Sequence, residues 1–298
     1  MKLTKLFLIT FLSVSCSTGF ETDRTPSTYD LKADIDLFLS TTDSDLEAQV
    51  LKRLKKKRVS HEAIKTILRQ QPKPAEKKRG LQTGLKFKSN GKNYSYALYL
   101  PETISSSNPL PMAIVLHGMG GSGDNTVAKW AERLNKEFIV LCPSYPMGAW
   151  WARPAEDMVL ALIDHIRSLY NVDDNRVFLA GLSNGAIGVY TIGMFYPDRF
   201  AGLIPIAGSI TPRFMNFLVN LRNTPIYMIQ GAHDPIFPIQ LSRRTNQILS
   251  DMRYPVVYRE HSEKGMAHGG HFLPEKEIPD LLEWIKKQKR NLNPTIVR

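Results

Sequence analysis

Eight short apolar runs punctuate the chain from residue 85 onward, and they constrain its fold more than any other feature. The first two, LKFKS and YSYALYL, alternate apolar and polar side chains, as a strand pair with one wet face does. The next six, MAIVLHG, FIVLC, NRVFLAG, GLIPIAG, PIYMIQG and VVYREH, are close to continuously apolar, the mark of strands covered on both faces. Between FIVLC and NRVFLAG, Val159, Leu162, Ile163, Ile166 and Leu169 recur at helical spacing, and Ile278, Leu281, Leu282 and Ile285 do so near the end. Strands alternating with amphipathic helices predict an α/β fold: a mostly parallel eight-stranded sheet with helices on both faces. The first two strands are expected to form an antiparallel hairpin.

Ahead of this region the pattern differs. MKLTKLFLITFLSVSC sets Lys2 and Lys5 before an apolar run, Leu6 to Val14, and a small residue before Cys16, the layout of a secretory signal. The run is shorter than the about 20 residues a membrane-spanning helix needs. Export is the expectation, either to a bacterial cell envelope, periplasmic or surface, or as a secreted protein. The ending also resembles a lipoprotein signal, which implies lipidation and membrane attachment at Cys16, although Ser13 stands where such signals carry leucine. Leu31, Ile35, Phe38 and Leu39 predict one amphipathic helix, Leu46, Val50, Leu51 and Leu54 a second, and Ser60 can cap a third. QQPKPAEKKRG then reads as a linker. The expected domains are a signal at 1–16, a polar helical region with linker at 17–80, a catalytic domain at 81–290 and a tail at 291–298.

The formal charge of +11 is not spread evenly. Residues 51–80 hold 12 Lys/Arg against two Glu, whereas residues 81–298 hold 23 against 18 acids. The basicity therefore belongs to one helical segment, where a solvated face or contact with an anionic surface accounts for it. Without interleaved aromatics it does not indicate nucleic acid. With 43% hydrophobic residues, the chain is too apolar to be mainly disordered. The two cysteines are Cys16 and Cys142, so loss of Cys16 to a lipid leaves no internal disulfide, and Cys142 after an apolar run reads as a small buried hydrophobe.

Gly181-Leu182-Ser183-Asn184-Gly185 carries the sharpest chemical signal. A G-x-S-x-G directly after an apolar strand and before a helix predicts a nucleophile elbow, a strained turn that lifts the serine hydroxyl above the sheet edge. Such a hydroxyl needs a base, and the base needs an acid to hold its tautomer. In this architecture the chain order is serine, acid, histidine. Asp234, immediately past PIYMIQG, fits the acid, while Asp173 and Asp174 precede the serine and read as a turn. GMAHGGHF offers two bases, His271 and, as the alternative, His268. The Gly-Met-x-His ending at His268 resembles small bacterial carboxylesterases, but His271 is preferred because it stands next to the start of the last helix, where the resemblance implies the base. His61, His165, His233 and His261 read as surface or locally bonded side chains. Developing negative charge needs backbone donors, and the HGMGG segment after the third strand supplies the Met119 N–H to act with the Asn184 N–H. No HExxH or Cys/His cluster marks a metal site, no GK[S/T] marks a phosphate loop, and no cofactor is expected.

These motifs together, LHGMGGSGDN, the DDNRVFLAGLSNG segment, PIYMIQGAHDPIFP and GMAHGGHF, resemble α/β-hydrolases of the feruloyl esterase and polyhydroxybutyrate depolymerase type, and more loosely the phospholipase/carboxylesterase and dienelactone-hydrolase-like families. The resemblance covers residues 93–288 and implies an α/β-hydrolase fold and a serine hydrolase acting on a small-molecule or polymeric carboxylic ester. Ala186 departs from the further glycine many relatives carry. Trp150 and Trp151 are candidates for an aromatic substrate wall, with Phe237 and Phe272 near the other candidate site residues. A prolyl-oligopeptidase-type peptidase or acyl-aminoacyl hydrolase would use the same machinery, and a catalytically silent surface lipoprotein with a binding role is the alternative from another class.

Overall fold

The computed structural model describes residues 30–41, 43–69, 78–105, 109–264 and 269–296, and the chain divides into two compact units, Met1–Pro72 and Lys73–Arg298. The signal run, Cys16 and His268 lie outside the described residues, as does most of the expected linker.

In the first unit, helices α1 (Leu31–Ser40), α2 (Ser44–Lys56) and α3 (His61–Arg69) each begin on a side-chain oxygen. Asp30 accepts from the Ala33 N–H, Asp43 from the Asp45 and Leu46 N–H groups, and Ser60 from the Ala63 N–H. Ile35, Phe38, Val50, Leu54 and Ile64 close a small core. Leu46, expected on the apolar face of α2, is half-buried.

In the second unit eight strands form one sheet in the order β1-β2-β4-β3-β5-β6-β7-β8. They are β1 (Gly80–Ser89), β2 (Lys92–Leu100), β3 (Leu110–Leu116), β4 (Ile139–Pro143), β5 (Val172–Leu182), β6 (Gly202–Ile206), β7 (Ile226–Gly231) and β8 (Val256–His261). β2 runs antiparallel to β1 and β4, and all other pairs are parallel. The helices are α4 (Gly123–Arg133), α5 (Arg153–Leu169), α6 (Asn184–Phe195), α7 (Ile239–Asp251) and α8 (Ile278–Lys287).

Strand β3 shows why both faces must be covered. Met112, Ile114 and Leu116 pack with Met158, Leu162 and Ile166 of α5 and Val189 of α6. Ala113 and Val115, pointing the other way, pack with Val127 and Trp130 of α4 and Leu281 and Ile285 of α8. Burying each large aliphatic side chain stabilises the fold by about 1.5–3 kcal/mol. No residue of the strand can therefore turn polar cheaply.

All eight strands expected from sequence are present, with two differences. β1 begins at Gly80, and a register shift between Gln82 and Leu85 separates its two halves. Asp173 and Asp174 stand within β5, where pairing with β3 shifts between Leu110/Val172 and Met112/Val177. Helices α4 and α7 and a run of 3-10 turns over Pro212–Asn223 add to the expected elements. Parallel β3, β5, β7 and β8 end at one sheet edge, so the loops leaving them converge there. Among the described residues no helix is long and apolar enough to cross a membrane.

Candidate active site

Ser183 is the single residue between the end of β5 and the start of α6, with φ 59° and ψ −119°. A non-glycine residue in that region costs about 1–3 kcal/mol. The surrounding backbone enforces it: a β-carbon on Gly185 would stand 2.1 Å from the Leu116 carbonyl oxygen, and one on Gly181 2.4 Å from the Gly185 oxygen. Strand and helix can approach this closely only because both flanking positions lack side chains. The Ser183 N–H donates to the Ile206 carbonyl at 3.0 Å, and the Ser183 carbonyl accepts from the Ala186 N–H at 2.8 Å. The main chain of the serine is thus pinned on both sides.

The loop after β3 passes directly against it. A β-carbon on Gly118 would sit 3.3 Å from Ser183 Cβ and 3.8 Å from Ser183 Oγ. The Gly121 N–H closes a turn onto the Gly118 carbonyl at 3.2 Å. Within this turn the Met119 N–H has no backbone partner among the described residues, and the Asn184 N–H, first in its helix, has none to its N-terminal side. Met119 itself is 66% exposed.

His117 organises this loop. Its Nδ1–H donates to the Gly118 carbonyl at 2.7 Å, and its Nε2 accepts the Tyr145 N–H at 3.2 Å. Its carbonyl accepts from Trp150 Nε1 at 2.8 Å, with the two rings edge to face at 4.9 Å. Asn184 Nδ2 donates to the Met147 carbonyl at 3.0 Å, which ties the segment after β4 to the start of α6. Burial pushes the His117 imidazole below its ordinary value of 6.5, in keeping with a neutral, doubly bonded ring.

These contacts separate the two tryptophans. Trp150 is fully buried beneath the His117 loop and serves packing, which corrects the expectation that it forms a substrate wall. Trp151, 44% exposed, remains available to a ligand.

Asp234 and His271, the candidate acid and base, come together from the loops that follow β7 and β8. His271 Nδ1 and Asp234 Oδ2 lie 2.9 Å apart, with the Asp234 side chain fully buried and that of His271 10% exposed. Nδ1–H as donor leaves Nε2 free to take a proton. Asp234 is saturated with donors. Oδ1 accepts the Ile236 and Phe237 N–H groups at 2.8 and 3.0 Å, and Oδ2 also accepts Gln230 Nε2 at 2.9 Å. Gln230 is in turn held by Ser242 Oγ at 3.3 Å. The Phe237 ring lies nearly parallel to His271, 14° apart with centroids at 5.9 Å. Among the described residues no hydrogen bond joins Ser183 Oγ to His271.

Among the described residues, the other histidines are not in this arrangement. His165 packs on Phe87, His61 is exposed, and His261, expected at the surface or locally bonded, is buried edge-on against Phe272 at 5.1 Å. Cys142 is buried, and burial raises its thiol well above the ordinary range. Among the described residues no group of three or more His, Cys, Asp or Glu side chains could hold a metal.

Three contributors carry no motif: Gln230, the amide side chain of Asn184 and the ring of His117. A signal exists for the first, since Gln230 is the polar residue closing an apolar strand four positions before Asp234, and a buried amide needs partners.

Comparison with known proteins converges on one kind of fold. Residues 153–289 match the phospholipase/carboxylesterase family model. A bifunctional acetylxylan esterase/xylanase of Neocallimastix patriciarum is 26% identical over 150 residues, 48% of this chain and 22% of that protein. A poly(3-hydroxyalkanoate) depolymerase C of Paucimonas lemoignei is 28% identical over 139 residues, 41% of this chain and 33% of that protein. This chain thus spans well under half the length of these two relatives. A crystal structure of a thermostable esterase superposes with a TM-score of 0.59 at 26% identity, over 70% of this chain and 63% of that one.

Proposed function

We propose that this chain, an α/β-hydrolase, is a serine hydrolase that cleaves a carboxylic ester through an acyl-enzyme on Ser183. The observation that carries the reading is Ser183 on a strained elbow against Gly118, in a chain where buried Asp234 already holds His271 by Nδ1. In the first step Ser183 Oγ attacks the ester carbonyl carbon while its proton passes to His271 Nε2. The carbonyl oxygen becomes an oxyanion between the Met119 and Asn184 N–H groups, and Asp234 stabilises the imidazolium. Collapse breaks the C–O bond, and His271 returns the proton to the departing alcohol. Water then repeats the sequence on the acyl-serine, releasing the acid and restoring Ser183. The Ser183–His271 bond forms with substrate in place, as catalytic hydrogen bonds commonly tighten on binding.

The substrate is a small-molecule or polymeric ester with an apolar or aryl portion. Met119, Met147, Trp151 and Ile236 are all exposed, and each belongs to a loop that carries or touches a site residue. Export fits the N-terminal signal layout, with Cys16 as the point of lipidation and membrane attachment.

A fluorophosphonate probe tests the chemistry. The wild type should label and should hydrolyse p-nitrophenyl and feruloyl esters. Ser183→Ala should lose labelling and turnover by on the order of 10³-fold or more while keeping its thermal transition. Near-normal turnover in the folded variant overturns the mechanism.

A further inference from the structure

A cavity of about 650 Å³ opens beside the catalytic loops, between the end of β3 and helix α4 on one side and the segment following His271 on the other. That size falls within the roughly 300–1,000 Å³ typical of small-molecule sites. Neither Ser183, Asp234 nor His271 lines it. The cavity adjoins the candidate active site, since Gly118 and Leu182 flank Ser183 and Phe272 follows His271, but the three side chains do not form its wall.

Its walls combine two chemistries. Trp130 and the half-buried Leu182 and Phe272 provide an apolar surface. At the rim Arg133 Nη2 and Lys129 Nζ both reach the same oxygen of Glu275, at 2.7 and 2.9 Å. One carboxylate is shared between two cations, so this cluster keeps a net positive charge. Glu263 and Lys276 also line the cavity and neutralise each other across 2.5 Å. Arg133 is held in place: its side chain is 12% exposed, and its guanidinium lies 5.7 Å from the Trp130 ring centroid. Its Nε is buried without a hydrogen-bond partner among the described residues.

We propose that this cavity is a second, non-catalytic binding site for an amphipathic organic anion. The apolar body of the ligand lies along Trp130, Leu182 and Phe272, and its negative head meets Arg133 and Lys129. The head can be the carboxylate of a medium-chain or aryl acid or a phosphate on a similar body, since both present oxygens to a guanidinium in the same way.

Calorimetric titration of the full chain carrying Ser183→Ala tests this without any turnover, so a failure here and a failure of the ester chemistry stay distinct. Decanoate, decyl phosphate, decanol and acetate are the probes. Decanoate or decyl phosphate should bind at least about tenfold more tightly than decanol, and acetate should not bind measurably; the tighter of the two anions identifies the head group. Added to that background, Arg133→Gln should weaken the anion about 10- to 100-fold while leaving decanol unchanged, the range expected for a charge-assisted hydrogen bond. Lys129→Gln, at an exposed position that does not threaten folding, should weaken it severalfold. Thr126→Phe, which fills the cavity from α4, should abolish both. Anion binding no tighter than that of decanol, or unaffected by Lys129→Gln and Thr126→Phe in variants with wild-type thermal transitions, overturns the proposal.

Discussion

The nucleophile side of the site and the base side are held by different means. Ser183 owes its place to the backbone: a single residue in a strained conformation, clamped where strand, helix and the β3 loop approach too closely for any side chain at Gly181 or Gly185. His271 owes its place to a relay of side chains, from Ser242 to Gln230 to Asp234 and then to its own Nδ1. The first arrangement depends on the whole sheet being formed, and the second can be dismantled one hydrogen bond at a time. Damage on the two sides should therefore show in different measurements.

The largest effect is expected from the proposed base. His271→Ala should reduce ester turnover by on the order of 10³-fold or more, comparable to loss of the serine, because members of such a set act as a unit. Stability should fall as well, by about 1–3 kcal/mol, because the buried Asp234 carboxylate loses a donor, so turnover is to be compared in folded protein. His268→Ala should be milder. A reversed ranking in steady-state kinetics would move the base to His268 and leave the elbow untouched.

Gly185→Ala attacks the other side. A methyl group 2.1 Å from the Leu116 oxygen cannot be accommodated by a side-chain shift. The expected cost is about 3 kcal/mol or more, and for a unit of this size that corresponds to a fall in Tm of about 6–12 °C. An unchanged melting temperature would show that the backbone clamp is looser than the contacts imply.

Gln230→Leu removes a donor from Asp234 and leaves the carboxylate buried with one partner fewer. A loss of about 1–3 kcal/mol in stability follows from the unsatisfied acceptor. Turnover should fall about tenfold with KM little changed, as His271 loses part of its support. If only stability moves, Gln230 is a packing residue and the relay ends at Asp234.

The smallest effect is in the pH dependence of stability. Burial holds the folded-state values of His117 and His261 below 6.5, so the unfolded chain takes up these protons first as the solution is acidified. Their contribution is complete above pH 6.5 and is lost as the pH falls through 6.5 toward the lower folded values. Urea unfolding at pH 7.5, 6.5 and 5.5 should show this decline. His117→Asn should flatten part of it, and an equal slope in the variant would assign the decline elsewhere.

The elbow was legible because its geometry is written in contiguous residues. An apolar strand, glycines two places either side of Ser183 and an apolar helix name the turn without knowledge of anything distant. Asp234 was legible by its place after PIYMIQG, and the eight strands by their runs. The choice between His271 and His268 was not, because both share one loop, and only pairing across 37 residues brings Nδ1 of His271 to Asp234.

Residue types and their order by themselves determined the α/β architecture and which loops carry the reactive groups, since hydrophobic periodicity and turn chemistry are local. They also singled out Ser183 and Asp234. Tertiary structure alone decided that Trp150 is packing while Trp151 is exposed, that Asn184 and His117 brace the loops with their side chains, and that Gln230 bonds the Asp234 carboxylate. Those roles depend on which partner lies within about 3 Å of a polar atom. That distance is settled when strands far apart in sequence are set side by side.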